Sequence, residues 1–200
     1  MSVATGGDAP SDGAAVDFYR RTLALLERHG IPHLVGGAFA LAHYAGIERQ
    51  TKDIDLFVTR ESVDRIEAAL AGAGYRVERT FPHWLAKVRH GEHFVDLVFS
   101  SANGLARVDD EWFAHATRGH ALATTVWLCP VEETIWSKAF IMERERYDGA
   151  DIAHLLHARA RTLDWRRLYR RFGAHWRVLF VHLLLFGYVY PAERDLVPAW

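Results

Sequence analysis

Two aspartates separated by one residue, Asp53-Ile54-Asp55, open the apolar run Leu56-Phe57-Val58. In an extended strand, residues two apart share a face, so both carboxylates project together and Ile54 turns into the protein. Two carboxylates this close repel each other if both are ionised and buried. A divalent cation relieves that conflict, and Mg²⁺ is typically held by one or two carboxylates plus substrate phosphates. A third carboxylate, Asp96, interrupts the apolar run His93 to Phe99. An aspartate inside such a run is costly unless it is paired, capped onto backbone or placed on a metal. Taken together, three carboxylates on strands of one sheet can converge on a pair of metal ions about 3.5–4 Å apart.

The surrounding elements must bring these residues together. A Gly, Ala, Ser and Asp leader spans residues 1 to 14 and has the composition of a flexible segment. Phe18, Leu23, Leu25 and Leu26 predict an amphipathic helix over Val16 to His29, ended by Gly30 with Pro32 just beyond. A strand over Ile31 to Val35 leads through Gly36-Gly37 into a helix ending at Tyr44, with Ala38, Leu41 and Ala42 on its face. By itself the double glycine also reads as a plain tight turn. Leu56 to Thr59 is the carboxylate strand and Glu61 to Ala71 a helix closed by Gly72 and Gly74. Strands follow over Tyr75 to Thr80, Trp84 to His90 and, after a turn at Gly91-Glu92, His93 to Phe99. A short helix over Asp110 to Thr117 and a strand over Ala123 to Leu128 precede Pro130. Helices are expected beyond it: Val131 to Arg144, Asp148 to Arg159, Asp164 to Phe172 and Trp176 to Tyr190. The expectation is an α/β (α+β) fold with a mixed sheet: a leader (1–14), a core (15–129) and a C-terminal helical part (130–200).

Composition narrows the class. Half of the 200 residues are hydrophobic and 24% charged, as in ordinary globular proteins. The net charge of −1 makes no overall case for nucleic acid or membrane. Cys129 is the single cysteine, so no internal disulfide can form, which fits a reducing cytoplasm. No signal peptide is visible, and the apolar stretch Val178 to Tyr190, with His182 inside it, suits a buried helix better than a membrane span. Arginines are unevenly spread: Lys138 to Arg177 carries a net +5. If these arginines share a face they can track phosphates; otherwise they form a solvated surface with local ion pairs. Most histidines, including the pair His90 and His93, lack further ligands nearby. The tryptophans read as packing, except that Trp84 lies on a strand near the proposed site.

The ordered set Gly36-Gly37, helix, Arg49-x-Thr51-x-Asp53-x-Asp55 and strand Asp96 resembles the nucleotidyltransferase superfamily related to DNA polymerase β. It is similar to AbiEii-type toxin nucleotidyltransferases and to aminoglycoside and lincosamide adenylyltransferases. Pro130-Val131-Glu132-Glu133, then Lys138, Tyr147-Asp148 and Asp151, resembles the helix pair of the AbiEii-like proteins. The resemblance implies a polymerase-β-like core that transfers a nucleoside monophosphate from a nucleoside triphosphate such as ATP to a hydroxyl, releasing pyrophosphate. It further implies Asp53, Asp55 and Asp96 as ligands of two Mg²⁺ ions (or Mn²⁺), with Asp96 also serving as general base. Gly36 and Gly37 would meet a phosphate through backbone N–H groups at a helix N-terminus. Arg49, Thr51, Lys52 and Lys138 are the further nucleotide-binding candidates, although a loop role for the first three and a snorkelling role for Lys138 also fit their neighbours. Many members have Gly-Ser where this chain has Gly36-Gly37, so no hydroxyl stands at 37. The implied acceptors are an RNA or tRNA end, a protein hydroxyl or a small molecule, and a toxin–antitoxin setting follows from the AbiEii likeness. A catalytically silent nucleotide- or partner-binding module on the same scaffold is the alternative.

Overall fold

The computed structural model describes residues 13–49, 51–142 and 146–199, so most of the expected leader and the expected helical residues 143 and 144 lie outside the described residues. Helix α1 runs Gly13–Arg28, three residues earlier than expected. It buries Ala15, Phe18, Tyr19, Thr22, Leu23 and Leu26, a stripe at helical spacing. Gly30, at φ 59°, closes it: its N–H donates to the Glu27 carbonyl and that of Ile31 to Leu26, satisfying carbonyls the helix end leaves bare. Strand β1 is only Leu34–Val35, and α2 is Gly37–Ala45. Then come β2 Asp55–Phe57, α3 Ser62–Ala71, β3 Arg76–Phe81, β4 Leu85–His90, β5 His93–Val98 and α4 Asp110–Ala114. Strands β6 Thr117–Ala121 and β7 Thr124–Leu128 follow, and among the described residues beyond them lie the α-helices α5 Val131–Ala139, α6 Gly149–Arg159, α7 Trp165–Phe172 and α8 Trp176–Val189.

The seven strands form one mixed sheet in the order β3-β4-β5-β2-β1-β7-β6. The pairs β2·β5 and β1·β7 are parallel, and the rest are antiparallel. One core lies between the sheet and α1 and α3; the other holds Leu41 and Tyr44 of α2, Trp112 of α4 and residues of α5 to α8. The switch from strands to helices falls at Cys129-Pro130, yet the C-terminal helices share their core with α2 and α4.

Two differences from the sequence reading have clear causes. Strand β6 was expected as part of α4 and loop. The β6–β7 turn is Leu122-Ala123, both at positive φ (54° and 56°), in a two-residue loop that normally signals itself by Asn-Gly or Gly-Gly. Leu122 compensates by burying its side chain in the core, and Arg20 Nε donates to its carbonyl at 2.8 Å. Helix α8 is not the buried helix expected: Leu179, His182 and Phe186 face inward, whereas Phe180, Val181, Leu184, Leu185 and Tyr188 are exposed. The run Trp165–Val189 is long and apolar enough to cross a membrane by length and composition, but it is broken at Gly173 (φ 49°).

Part of the arginine-rich stretch is engaged by this chain's own groups, while Arg146, Arg161, Arg166, Arg170 and Arg177 are exposed. Arg167 pairs with Glu132 and, at 3.0 Å, with fully buried Glu133. Arg171 reaches Glu133 at 2.9 Å and Asp109 at 2.7 Å. Arg170 meets Glu111, and Arg159 donates to the carbonyls of Tyr44 and His43 at the end of α2. Burial raises the Glu133 pKa, and Arg167 and Arg171 oppose the shift. Removing one member of a buried ion network leaves uncompensated charge, which costs about 3–5 kcal/mol. Glu133→Ala is therefore expected to lower stability by about that amount in urea titration; a loss under about 1 kcal/mol would mean the network contributes little. At the hairpin, Ala123→Gly relieves a left-handed residue and should raise stability by about 0.5 kcal/mol. Leu122→Gly, at the same φ sign, should lower it by about 2 kcal/mol or more through lost burial, a sign contrast readable in the same titrations.

Candidate active site

A cleft of about 550 Å³ opens where the N-terminus of α2, the strands β2, β4 and β5, and helix α5 meet. Parallel pairing of β2 with β5 sets Asp55 directly beside Asp96, and both line the cleft with Gly36, Gly37 and Lys138. Asp53 lies in the bend before β2 rather than in the strand, while Ile54 is buried as expected. The Thr51 hydroxyl donates to the Asp53 carboxylate at 2.7 Å. Thr51 thus fixes Asp53.

The glycines are explained by close approach. A Cβ on Gly37, whose φ is 54°, would fall 1.8 Å from Asp55 Oδ2; one on Gly36 would fall 2.3 Å from the Phe57 ring. A side chain at 37 would require the Asp55 carboxyl to move, and the positive φ disfavours one there as well. The Gly36 N–H donates to the Asp55 carbonyl at 3.0 Å, tying the turn to β2. The first N–H groups of α2 have no partner inside the helix and give this end its partial positive charge.

Burial, then the neighbouring charges of Asp53 and Asp96, push Asp55 up from 3.8 to about 7, with Lys138 and Arg146 opposing. Asp96 is also raised, chiefly by burial, against a direct ion pair with Lys87. Lys87 was not anticipated. Lys138 contacts Asp148 at 3.0 Å and Asp151 at 2.8 Å. Arg49 pairs with the same Asp151 but lines, with Thr51, a second cavity against α2 and the β6–β7 turn. Lys52 is exposed, and its carbonyl accepts from Tyr19 at 2.7 Å. The structure therefore brings Gly36, Gly37, Asp55, Asp96 and Lys138 into one cleft, with Asp53 beside it, and sets Arg49, Thr51 and Lys52 apart. His90 and His93 pack on the Phe18 ring. Trp84 does line the cleft, together with Phe81, His83, Ser100, Ser101 and Arg146, which the sequence did not flag.

The donor set fits a hard divalent cation: Asp55 and Asp96, with Asp53 adjacent, offer only carboxylate oxygens, the ligands Mg²⁺ and Mn²⁺ prefer. Among the described residues, no group of three His, Cys, Asp or Glu side chains is already gathered around one point, and Asp96 is turned onto Lys87.

Comparison with known proteins identifies a family and a fold. The profile of a family described as uncharacterised nucleotidyltransferases matches residues 13–186. The antibiotic-resistance factor ANT(2'')-Ia in solution is 20% identical, with 90% of this chain and 95% of that chain covered and a TM-score of 0.55. Its crystal structure in complex with adenylyl-2''-tobramycin is 19% identical over 88% and 99%, with a TM-score of 0.53. An antigenic nucleotidyltransferase-like protein from Paracoccidioides brasiliensis is 16% identical over 92% of each chain, with a TM-score of 0.57. At these identities the structural likeness speaks to fold. No curated protein sequence matches.

The raised Asp55 pKa makes a stability prediction. A carboxyl whose folded pKa lies above its unfolded one keeps its full stability only below the unfolded value, and loses it as pH rises toward the folded value. For Asp55 that loss runs from about pH 4 to about pH 7 and then levels off. In metal-free buffer, Asp55→Asn should gain stability over the wild type progressively across that range, by about 2–4 kcal/mol at pH 8. A pH-independent difference in melting temperature would contradict the desolvated-carboxylate account.

Proposed function

The chain belongs to the nucleotidyltransferase family whose profile it matches, and from that premise we propose that it transfers a nucleoside monophosphate to the hydroxyl of a small molecule, with Mg²⁺ or Mn²⁺ held by Asp53, Asp55 and Asp96. The observation that carries this is the β2·β5 register, which sets Asp55 and Asp96 side by side in a cleft that also holds the start of α2. When bound, the cations would neutralise triphosphate charge and lower the pKa of the attacking hydroxyl. The acceptor oxygen bonds to the α-phosphorus as the bond to the β-phosphate oxygen breaks, and pyrophosphate leaves. Asp96 takes the hydroxyl proton. The α2 N-terminus receives phosphate oxygens through Gly37 and its neighbours, which is why the backbone must be bare there.

Lys138 is the cation on the α5 side of the cleft, and the anionic triphosphate would compete with Asp148 and Asp151 for it. Arg49, sharing Asp151, positions that acid rather than touching nucleotide. A small-molecule acceptor is favoured over RNA because the cleft has small-ligand dimensions, and because Arg159, Arg167, Arg170 and Arg171 are engaged by acids and carbonyls of this chain.

Label transfer from α-³²P nucleoside triphosphates into a pool of hydroxylated compounds, with Mg²⁺, tests this. Asp55→Asn and Asp96→Asn should each reduce transfer by about 10²–10⁴-fold, and chelation should abolish it. Undiminished transfer by both variants would remove these aspartates from the chemistry.

A further inference from the structure

The cleft has two unlike ends. Toward α2 and α5 lie Gly37, Asp55 and Lys138; on the other side of Asp96, the sheet continues outward through β4 to β3. That outer wall is aromatic and carries no carboxylate among the described lining residues. At the turn between β3 and β4, Phe81 and Trp84 stack with ring centroids 5.3 Å apart and planes 14° from parallel, and Phe81 is 46% exposed. Leu85 and Val98, paired across β4 and β5, continue the wall beside Asp96. Behind them stands Ser100, 4% exposed, whose Oγ has no hydrogen-bond partner among the described residues. A buried hydroxyl without a partner costs free energy unless a ligand satisfies it. The His83 ring, bonded at 3.1 Å to the Ala102 carbonyl, ties the aromatic turn to the segment after Ser100.

We propose that the acceptor is an uncharged hydroxyl compound bearing an aromatic or planar ring, stacked on Trp84 and Phe81 and hydrogen-bonded to Ser100, and that a polycationic aminoglycoside is not its substrate. This rests on the nucleotidyl-transfer reading of the same cleft. A hydroxyl delivered to Asp96 must carry its body outward over the β3–β4 turn, because the inward side is taken by the nucleotide phosphates. Aromatic faces reward a ring there. Among the described residues, the carboxylates lining the cleft are Asp55 and Asp96, both committed to the reaction, so the ammonium groups of a polycation would lose water there without a carboxylate of their own to replace it. Charge therefore selects against that class as much as stacking selects for the other.

The test measures pyrophosphate release by the full chain with four pooled nucleoside triphosphates and Mg²⁺, stimulated either by p-nitrophenyl β-glucoside or by tobramycin at equal concentration. The glucoside should stimulate release and tobramycin should not. Trp84→Ala should raise the glucoside KM about tenfold with kcat changed by less than about threefold, as loss of a stacking face predicts, and Trp84→Phe should restore KM. Calorimetric binding of Mg·ATP to each variant reports that the nucleotide end is intact. Stimulation by tobramycin, stimulation by neither compound while Mg·ATP binds, or a glucoside KM indifferent to Trp84→Ala would overturn the acceptor assignment. Failure of the wild type to bind any of the four Mg·nucleotides would overturn the nucleotidyl-transfer reading itself.

Discussion

Asp55 and Asp96 stand opposite each other on neighbouring parallel strands, close to a third carboxylate and largely out of water. Like charges in that position are costly, and the surrounding structure supplies the means to bear the cost. Lys87 neutralises Asp96 from β4, Lys138 and Arg146 lend positive potential from the helical side, and the start of α2 presses its bare backbone against the Asp55 carboxyl. Gly37, a residue with no chemistry of its own, is as constrained as the aspartate it touches. The site is thus short of positive charge, which suits the cation and triphosphate proposed for it.

The C-terminal helices serve this site by enclosing it. Helix α5 brings Lys138 to the cleft while its first turn, Glu132 and Glu133, locks onto α7 through Arg167 and Arg171. Asp151 on α6 holds Lys138 on one side and Arg49 on the other, so the loop before β2 and the helix over the cleft are fixed to the same carboxylate. A net positive count along the sequence divides, in three dimensions, between internal clamps at Lys138, Arg159, Arg167 and Arg171 and exposed side chains such as Arg161, Arg166 and Arg177. Charge counted along a chain measures a surface only if the side chains reach one.

What was legible in the sequence follows from whether the deciding interaction was local. The three aspartates, the double glycine and the alternation of apolar residues were local, and they gave the core strands, the α2 turn and the cleft. Lys87 was within reach too. The turn at Gly91-Glu92 pairs His90 with His93, and three steps outward from that pair stand Lys87 and Asp96. Strand β6 was not readable, because its hairpin turns on Leu122-Ala123 and the long-range burial of Leu122 overrides the usual turn chemistry. The partners of Arg49 and of the α7 arginines lie 34 to 102 residues away, where spacing carries no signal. The exposed side of α8 was hidden for a different reason: a helix apolar on every face gives no indication of which stripe meets the core.

The buried ion network also bears on how this sequence can diverge. Glu132, Glu133, Arg167 and Arg171 lie on two helices far apart in the chain, yet no one of them can be replaced alone without leaving its partners charged in a dry interior. Against a total stability of about 5–15 kcal/mol, a single such step of about 3–5 kcal/mol removes a large share, although the doubly or triply replaced apolar version is often as stable as the original. The route between two stable states crosses a less stable one. Physical coupling therefore favours changes at these four positions that come together rather than singly.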